Sequence, residues 1–424
     1  MSLKRRFREI LEGFTPPFWV ANTTELFERL AYYAATAVLA VYLNERLGFS
    51  TELTGWMMGI FGFVVWFLPV LGGALADRFG FRRALLFAYA VMTAGYFLLG
   101  SLESPWMRSA RHALGDKGLV LAVLMIPALG PAVVKPCVAG TTARASAESV
   151  RSMGYSIYYT IVNVGGLLGP VVAWLVRKRW GLGMADVFRV ASLSVFLMFI
   201  VTLIFFREPR QPGEQQVLSV REALGNMFEV LANFRFVLFL LIWSSFYVVF
   251  WQEFISAPLF LRTFVSPHAD FDLVLAVDPG VVICCQIVVS YLTRRIAAFP
   301  AMTLGLVITS LSWVCLAVHP SMAAAIVGFA ILALGEVTQS ARYYEYISRL
   351  APSGQQGLYM GYAFLPIAVG YLIAGPLGGW LLHYFGNVLG RPQQMWWAVA
   401  AVGLAGAALM VVYNRIFKPG EVSK

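Results

Sequence analysis

The chain has 424 residues, of which 59% are hydrophobic and only 13% charged, and its mean hydropathy is +0.72. Soluble globular domains carry about 25% charged residues, so this composition excludes them and indicates a protein that crosses a membrane many times. The formal net charge of +10 does not indicate a nucleic-acid partner, because the basic residues are concentrated in the loops predicted for one side of the membrane.

Twelve apolar runs are long enough to cross a bilayer, which takes about 20 residues in an α-helix. They cover residues 17–45, 54–77, 82–102, 118–144, 150–175, 186–206, 234–263, 272–294, 300–318, 321–349, 355–383 and 393–416. An even number of spans places both termini on one side. About 19 Lys and Arg residues fall on that side, about 10 on the other and three within spans, which predicts cytoplasmic termini in the cytoplasmic (inner) membrane.

The first span carries ionisable residues in its middle, namely Glu25, Glu28 and Arg29. Such groups cost about 3 kcal/mol each at the bilayer centre unless they pair or face water, so they indicate an ion or substrate pathway. A static pair that braces the helix is the alternative. Helical spacing adds three more residues to one polar stripe that should face a cavity: Tyr32, Tyr33 and Thr36.

The loop after the second span reads Gly72-Gly73-Ala74-Leu75-Ala76-Asp77-Arg78-Phe79-Gly80-Phe81-Arg82-Arg83. The glycines allow close helix contact, and the arginines hold the loop in the cytoplasm. This run resembles the loop signature of the major facilitator superfamily. The resemblance implies an all-α membrane protein with twelve helices in two six-helix bundles, in which Asp77 and Arg78 serve gating or structure.

Other spans bury isolated ionisable residues near their midpoints: Lys135 in the fourth, Glu253 in the seventh and Glu336 in the tenth. We expect them to face one cavity together with Arg29. Lys135 and Arg29 would supply positive charge from the N-terminal half, and Glu253 and Glu336 would supply negative charge from the C-terminal half. Such a cavity suits a zwitterion and a proton. Pairing of Glu336 with another helix is the alternative. Trp66 is an aromatic pocket candidate by its depth, with packing in the core as the alternative.

A polar stretch, residues 207–233, separates the sixth span from the seventh. Its prolines and glycine mark a linker between bundles 1–206 and 234–424, and apolar residues at helical spacing within 217–231 predict a short surface helix. Near the cytoplasmic end of the tenth span, Arg342 and Glu345 are spaced i, i+3 and should form a gate or bracing pair.

Four stretches resemble the proton-dependent oligopeptide transporter family. The first is Glu25-Leu26-Phe27-Glu28-Arg29-Leu30-Ala31-Tyr32-Tyr33, which is similar to that family's ExxER motif with following tyrosines. The others are Val134-Lys135-Pro136, then Tyr158 to Gly165, and Gly335-Glu336 running to Pro352. They lie in order on four spans of both halves, which makes the resemblance specific.

The resemblance implies a role for each matching residue. Glu25, Glu28 and Arg29 would couple transport to protons, with Lys135 as their switching partner and Glu253 as a proton-sensitive acid. Glu336 would receive the amino group of a peptide. Tyr33 and Asn163 would be pocket residues that hydrogen-bond the peptide. Together with the residues singled out by position and charge, the candidate substrate-binding residues are Tyr32, Tyr33, Thr36, Trp66, Lys135, Asn163, Glu253 and Glu336.

The chain also departs from that family. Thr36 stands where a second arginine usually holds the substrate carboxylate, and Ala363 stands where a pocket tryptophan is usual. Gln252 precedes Glu253, whereas the family usually has the acid first. An extra helix pair common in bacterial members is missing. The transport machinery is therefore kept, while the substrate pocket is altered.

These observations predict a proton-coupled symporter that imports di- or tripeptides, or a related small zwitterionic or anionic solute. Two alternatives remain: a proton-coupled antiporter that exports drugs or amphiphiles, and a transporter-like sensor that binds without translocating. No nucleophile, metal site or phosphate loop indicates an enzyme. We expect a monomer that uses a proton gradient and no cofactor, with protons, lipid and a small solute as its partners.

Overall fold

Long apolar runs without charge fold as helices in a membrane, because a helix satisfies its own backbone hydrogen bonds. The computed structural model describes residues 13–69, 79–209, 230–351 and 356–417, with the backbone alone at 356–358. Twelve helical segments follow one another in this part of the chain: α1 Pro16–Arg46, α2 Thr51–Phe67, α3 Phe81–Leu99, α4 Pro105–Arg144, α5 Glu148–Arg179, α6 Met184–Phe205, α7 Phe234–Val265, α8 Phe271–Thr293, α9 Ala298–Val318, α10 Met322–Leu350, α11 Tyr359–Val388 and α12 Gln394–Phe417.

Ten of these segments are long and apolar enough to cross a membrane. The other two are α2 and α3. The described part of α2 is an apolar helix of 17 residues. Helix α3 has 19 residues, and its first residue, Phe81, is followed by two arginines. The prediction of an all-helical, multi-pass membrane protein is confirmed. Asp77, Arg78 and most of the predicted linker, including nearly all of the surface helix at 217–231, lie outside the described residues.

Helix α7 is interrupted near its centre, and helix α8 is interrupted near its start. In α7 the regular helix ends at Phe250 and resumes at Gln252, and in α8 it ends at Leu275 and resumes at Val277. The residues at the two breaks, Trp251 and Ala276, keep right-handed helical backbone angles, so each break is a local change of the hydrogen-bond pattern. Each break lies two residues before a buried acid, Glu253 or Asp278.

The described residues divide into two compact units. The first unit contains those of Met1–Ala35 and Leu68–Ala223, and the second contains those of Thr36–Phe67 and Leu224–Lys424. The second unit therefore combines α2 and the end of α1 with α7 to α12. The bundle boundaries predicted from the sequence, 1–206 and 234–424, stay a prediction.

In the first unit, the start of α3 is capped by Glu208, which follows α6. The two carboxylate oxygens of Glu208 accept hydrogen bonds from the backbone N–H groups of Phe81 and Arg82, at 2.7 and 2.9 Å. The N–H groups of a first helical turn have no partner within the helix, and they carry partial positive charge. Glu208 thus satisfies this helix end and ties α6 to α3.

In the second unit, α2 and α11 touch through their backbones. A Cβ atom added at Gly55 would overlap the carbonyl oxygen of Gly375, and one added at Gly379 would overlap the carbonyl oxygen of Thr51. Small residues in membrane helices permit such contact and gain van der Waals energy from it. Glycine is therefore required at these positions to keep α2 against α11.

We expect Gly55→Ala to destabilise the protein by about 1–3 kcal/mol, the usual cost of overpacking, because backbone would have to move. The matched control is Gly118→Ala in α4, where an added Cβ meets only the Leu114 Cβ, at 3.8 Å. That control should leave stability unchanged within about 1 kcal/mol. Thermal unfolding of both variants in detergent measures the difference, and equal melting temperatures would contradict the backbone contact.

Candidate functional site

The centre of the first unit is an ion pair between neighbours on α1. The side chains of Glu28 and Arg29 are 0% and 2% exposed. Arg29 Nε donates to Glu28 Oε2 at 2.5 Å, and Nη2 donates to Oε1 at 2.8 Å. This two-pronged geometry is the strongest form of carboxylate–guanidinium contact. It offsets part of the cost of burying the arginine in a medium that cannot solvate it.

Glu25 is the second carboxylate of this site, and it is also fully buried. Its Oε1 lies 3.4 Å from Arg29 Nε, farther than the oxygens of Glu28. Lys135 of α4 interacts with Glu25 through its charge, and Tyr158 of α5 through its hydroxyl group. We name Glu25, Glu28, Arg29 and Lys135 the arginine cluster. Fully ionised, it contains two negative and two positive charges and is therefore balanced.

Aromatic side chains cover the arginine cluster. The Arg29 guanidinium carbon lies 5.2 Å from the ring centre of Tyr32. Tyr89 and Tyr96 of α3 are buried beside the carboxylates, where both interact with Glu28. The sequence analysis missed Tyr89 and Tyr96, although their spacing of seven residues places them on one face of α3. They help to exclude water from the cluster.

Glycines of α5 bring that helix against α1 at the cluster. A Cβ atom added at Gly165 would lie 2.6 Å from Arg29 Cβ, and one at Gly169 would lie 2.7 Å from Tyr33 Cβ. One turn earlier on α5, the side-chain amide of Asn163 donates to the carbonyl of Tyr159 in its own helix, at 2.9 Å. The glycines thus let α5 cover the ion pair closely.

The second unit holds a group of acids that the sequence analysis identified only in part. Glu253 of α7 is fully buried, Asp278 of α8 is 6% exposed and Glu336 of α10 is partly exposed. Asp278 interacts electrostatically with Glu253 and with Glu336. We name these three residues the acid cluster. Asp278 was missed because no motif marks it.

Gln252 and Glu253 have different surroundings although they are adjacent. The Gln252 side chain donates to the carbonyl of Ala374 at 3.0 Å and accepts from Ser256 at 2.6 Å, so it holds α7 against α11. Both carboxylate oxygens of Glu253 are buried without a hydrogen-bond partner. Glu253 is therefore the residue of this pair that belongs to the acid cluster.

Trp66 belongs to an aromatic group of the second unit. Its ring centre lies 5.8 Å from that of Trp251 and 6.3 Å from that of Phe364, and Trp251 lies 4.4 Å from Tyr371. Next to Phe364, Ala363 is buried, and its carbonyl accepts a hydrogen bond from Tyr343 at 2.8 Å. Thr36 is likewise buried in this unit.

Ion pairs lie near both ends of the helices in the second unit. Arg342 pairs with Glu345 at 2.7 Å and donates to the carbonyl of Thr293, so it braces α10 against α8. At the opposite end, Arg262 donates hydrogen bonds to both carboxylate oxygens of Glu45, from Nε to Oε1 at 2.9 Å and from Nη2 to Oε2 at 2.7 Å. A sequence pattern could not reveal the second pair, because its members lie 217 residues apart.

The predicted site residues thus fall into two groups. Glu25, Glu28, Arg29 and Lys135 come together in the first unit, whereas Glu253 and Glu336 come together in the second. That all of them face one cavity stays a prediction. Across the described residues, His, Cys, Asp and Glu form no group of three or more that could hold a metal ion.

Comparison with known proteins places the chain in a family. The profile of the Major Facilitator Superfamily matches residues 24–298 and 262–423. Curated relatives include the multidrug resistance protein MdtH of Sodalis glossinidius, 22% identical over 88% of this chain and 87% of that protein. MdtH of Yersinia enterocolitica is 21% identical over 88% of each chain.

Several solved structures share the fold at low sequence identity. A peptide transporter POT in complex with sulfate has a TM-score of 0.74 and 18% identity, over 94% of this chain and 95% of that one. A POT family transporter in complex with 5-aminolevulinic acid has a TM-score of 0.75 at 15% identity, over 94% and 96%. Another POT family transporter, in complex with a thioalcohol conjugated peptide, has a TM-score of 0.76 and 16% sequence identity, over 96% of each chain. The predicted fold is confirmed.

The geometry of the arginine cluster predicts unequal effects of two isosteric changes. Glu28→Gln breaks the two-pronged pair and should cost about 3–5 kcal/mol, the usual result of removing one partner of a buried ion pair. Glu25→Gln should cost clearly less, because its closest approach to Arg29 is 3.4 Å. Thermal unfolding in detergent measures both losses. A larger loss for Glu25→Gln would contradict the observed pairing.

Proposed function

The chain belongs to the major facilitator superfamily, and from that membership we propose that it is a proton-coupled symporter that works by alternating access. Its substrates are di- or tripeptides or a related small zwitterionic or anionic solute. The observation that carries this proposal is the arginine cluster, two carboxylates and two cations balanced inside a membrane-spanning region. Ionisable groups are retained at such a depth where they serve an ion or substrate pathway.

Proton coupling follows from the balance of charges in the arginine cluster. A proton on Glu25 leaves two positive charges facing the single carboxylate of Glu28. The attraction that holds Lys135 to the cluster then weakens, while Arg29 keeps its two short hydrogen bonds to Glu28. Lys135 is the mobile partner in this scheme. It is partly exposed, whereas both carboxylates are fully buried.

The substrate class follows from the acids of the second unit and from the solved structures that share the fold. Glu253 and Glu336 offer negative charge to an amino group, and Tyr33, Asn163 and Trp66 offer polar and aromatic contacts. Two of the similar structures are described as complexes with 5-aminolevulinic acid and with a conjugated peptide. Thr36 and Ala363, in place of larger side chains, favour a pocket that differs from those.

The remaining parts of the proposal concern the setting of the protein. We place it in the cytoplasmic membrane with both termini in the cytoplasm, as the distribution of basic residues indicates. It acts as a monomer, driven by the proton gradient and without a cofactor. Asp77 and Arg78 in the loop, and the Arg342–Glu345 pair in α10, serve gating or bracing.

Export of drugs by proton antiport is the second candidate function. Two observations favour it: the multidrug resistance proteins MdtH align with 88% of the chain, and Thr36 cannot hold a substrate carboxylate as an arginine does. Both candidates use the arginine cluster for protons, so they differ in substrate and direction. Resistance profiles of cells that overproduce the protein distinguish an exporter from an importer.

Glu28→Gln should abolish proton-driven uptake in liposomes but spare counterflow exchange, because loss of the Glu28 charge upsets the charge balance against which Glu25 takes up its proton. Glu25→Gln gives the same test in a variant with a smaller loss of stability. The matched control is Asp116→Asn in α4, an aspartate whose side chain is 64% exposed. Active accumulation of substrate by both glutamine variants would refute the coupling role.

The substrate class can be tested by the thermal stability of the purified protein, since a ligand bound only by the folded state raises the melting temperature. At a concentration of 100 times the dissociation constant the gain is about 2.7 kcal/mol. We expect stabilisation by di- and tripeptides. Stabilisation by efflux drugs alone would favour the antiporter, and binding without flux in liposomes would indicate a sensor.

A further inference from the structure

Helix α4 begins with a segment that projects from the first unit. Residues 105–114 precede a bend at Gly115, whose backbone angles, φ 70° and ψ 160°, are not helical and suit a residue without a Cβ atom. From 108 to 118, every residue except 110 and 111 is exposed. Met107 is 4% exposed and anchors the segment to the unit. We name residues 105–114 the rim segment.

Contacts with α3 and with the residue after the bend fix the position of the rim segment. Arg111 Nη2 donates to the carbonyl of Leu102 at 2.6 Å, and Arg111 Nε lies 2.9 Å from Oδ1 of Asp116. The ring of Trp106 stacks on that of Phe97, with 6.3 Å between the ring centres, and both side chains are more than half exposed. Phe97 lies two residues before the end of α3, and an exposed phenylalanine on a membrane helix faces lipid. Trp106 therefore lies on the lipid-facing perimeter, at the level where α3 ends.

The connection between α5 and α6 belongs to the same end of the unit. A Cβ atom added at Gly100, directly after α3, would lie 2.8 Å from the carbonyl oxygen of Ala185 in α6. Helix α5 ends at Arg179, and α6 begins at Met184. Exposed basic and apolar side chains alternate with glycine in this connection, namely Lys178, Arg179, Trp180 and Leu182.

The charge at this end of the unit is positive. Residues 100–118 and 176–190 contain seven Lys and Arg but only three Asp and Glu. The backbone N–H of Thr15, next to the start of α1, donates to the carbonyl of Ala145 after α4, at 2.9 Å. The rim segment, at the other end of α4, thus lies far from the chain's start, on the side where the proposed topology predicts few basic residues. Topology does not account for these charges, whereas a local partner with negative charge does.

We propose that the rim segment and the end of α5 form a docking surface for anionic phospholipid headgroups at the membrane boundary. Arg108, Lys117 and Arg179 contact the phosphates, while Trp106 and Trp180 lie between the headgroups and the acyl chains, where amphipathic rings are favoured. A dissolved anion would neutralise the charges but leave both rings uncovered. The surface requires no substrate and no proton, so it stands apart from the function proposed above.

Hydrogen–deuterium exchange of the full chain in nanodiscs tests the proposal, because a projecting helix with few buried contacts exchanges readily unless something covers it. Exchange of the rim segment is followed in phosphatidylcholine discs with increasing fractions of phosphatidylglycerol. We expect it to slow several-fold as the anionic fraction rises, and high salt, which screens the charges, should remove the effect.

Variants of exposed arginines identify the contacts. One basic residue beside an anionic surface is worth about fivefold in binding, so Arg108→Gln should raise the phosphatidylglycerol fraction needed for half of the effect by about fivefold. The double variant Arg108→Gln with Arg179→Gln should lose the effect. The matched control is Arg415→Gln, the same change at an exposed arginine in the last turn of α12. That control should respond as the wild type does.

Three results would overturn the proposal. One is equal exchange of the rim segment at every fraction of phosphatidylglycerol. Another is a lipid effect that the double variant retains in full. The third is protection that also occurs in pure phosphatidylcholine and increases with the number of protein copies per disc, because a second copy of the chain would then cover the surface. If the double variant does not fold, Arg108→Gln and the salt dependence still decide.

Discussion

Charge buried where water cannot solvate it must be neutralised nearby, and the ion pair between Arg29 and Glu28 is the contact on which the first unit depends. The pair forms between successive residues of α1, and both side chains are almost fully buried. Burial at this depth requires neighbours that fit closely. Gly165 and Gly169 allow α5 to contact the backbone of α1 beside the pair, so close helix packing and charge neutralisation are two parts of one arrangement.

The two units neutralise their buried charge in different ways. In the first unit the carboxylates have cations beside them, and the cluster is neutral when all its members are ionised. In the second unit the charged groups that interact with Asp278 are Glu253 and Glu336, which are acids like itself. A proton added to the arginine cluster would leave it with a net positive charge, whereas a proton added to the acid cluster would reduce its net negative charge.

The sequence predicted the helices closely, because twenty successive apolar residues are a strong signal. The first span was predicted at 17–45 and is observed at Pro16–Arg46, and the tenth was predicted at 321–349 and is observed at Met322–Leu350. The charged stripe of α1 could be predicted for the same reason, since charge is rare in such runs. Asp278 could not, because a single aspartate near a proline also occurs at ordinary helix ends. Only the break at Ala276 and the contact with α10 give it significance.

Gln252 and Glu253 are adjacent on α7, but their side chains have different surroundings. A helix turns by about 100° per residue, so exchanging an acid and an amide would move the negative charge to a different face. Here the amide faces α11, where it satisfies the carbonyl of Ala374, and the carboxylate lies with the acid cluster. The regular helix of α7 is interrupted at Trp251, immediately before both residues. The rotation between adjacent residues thus separates the amide, which binds α11, from the carboxylate, which lies with the acid cluster.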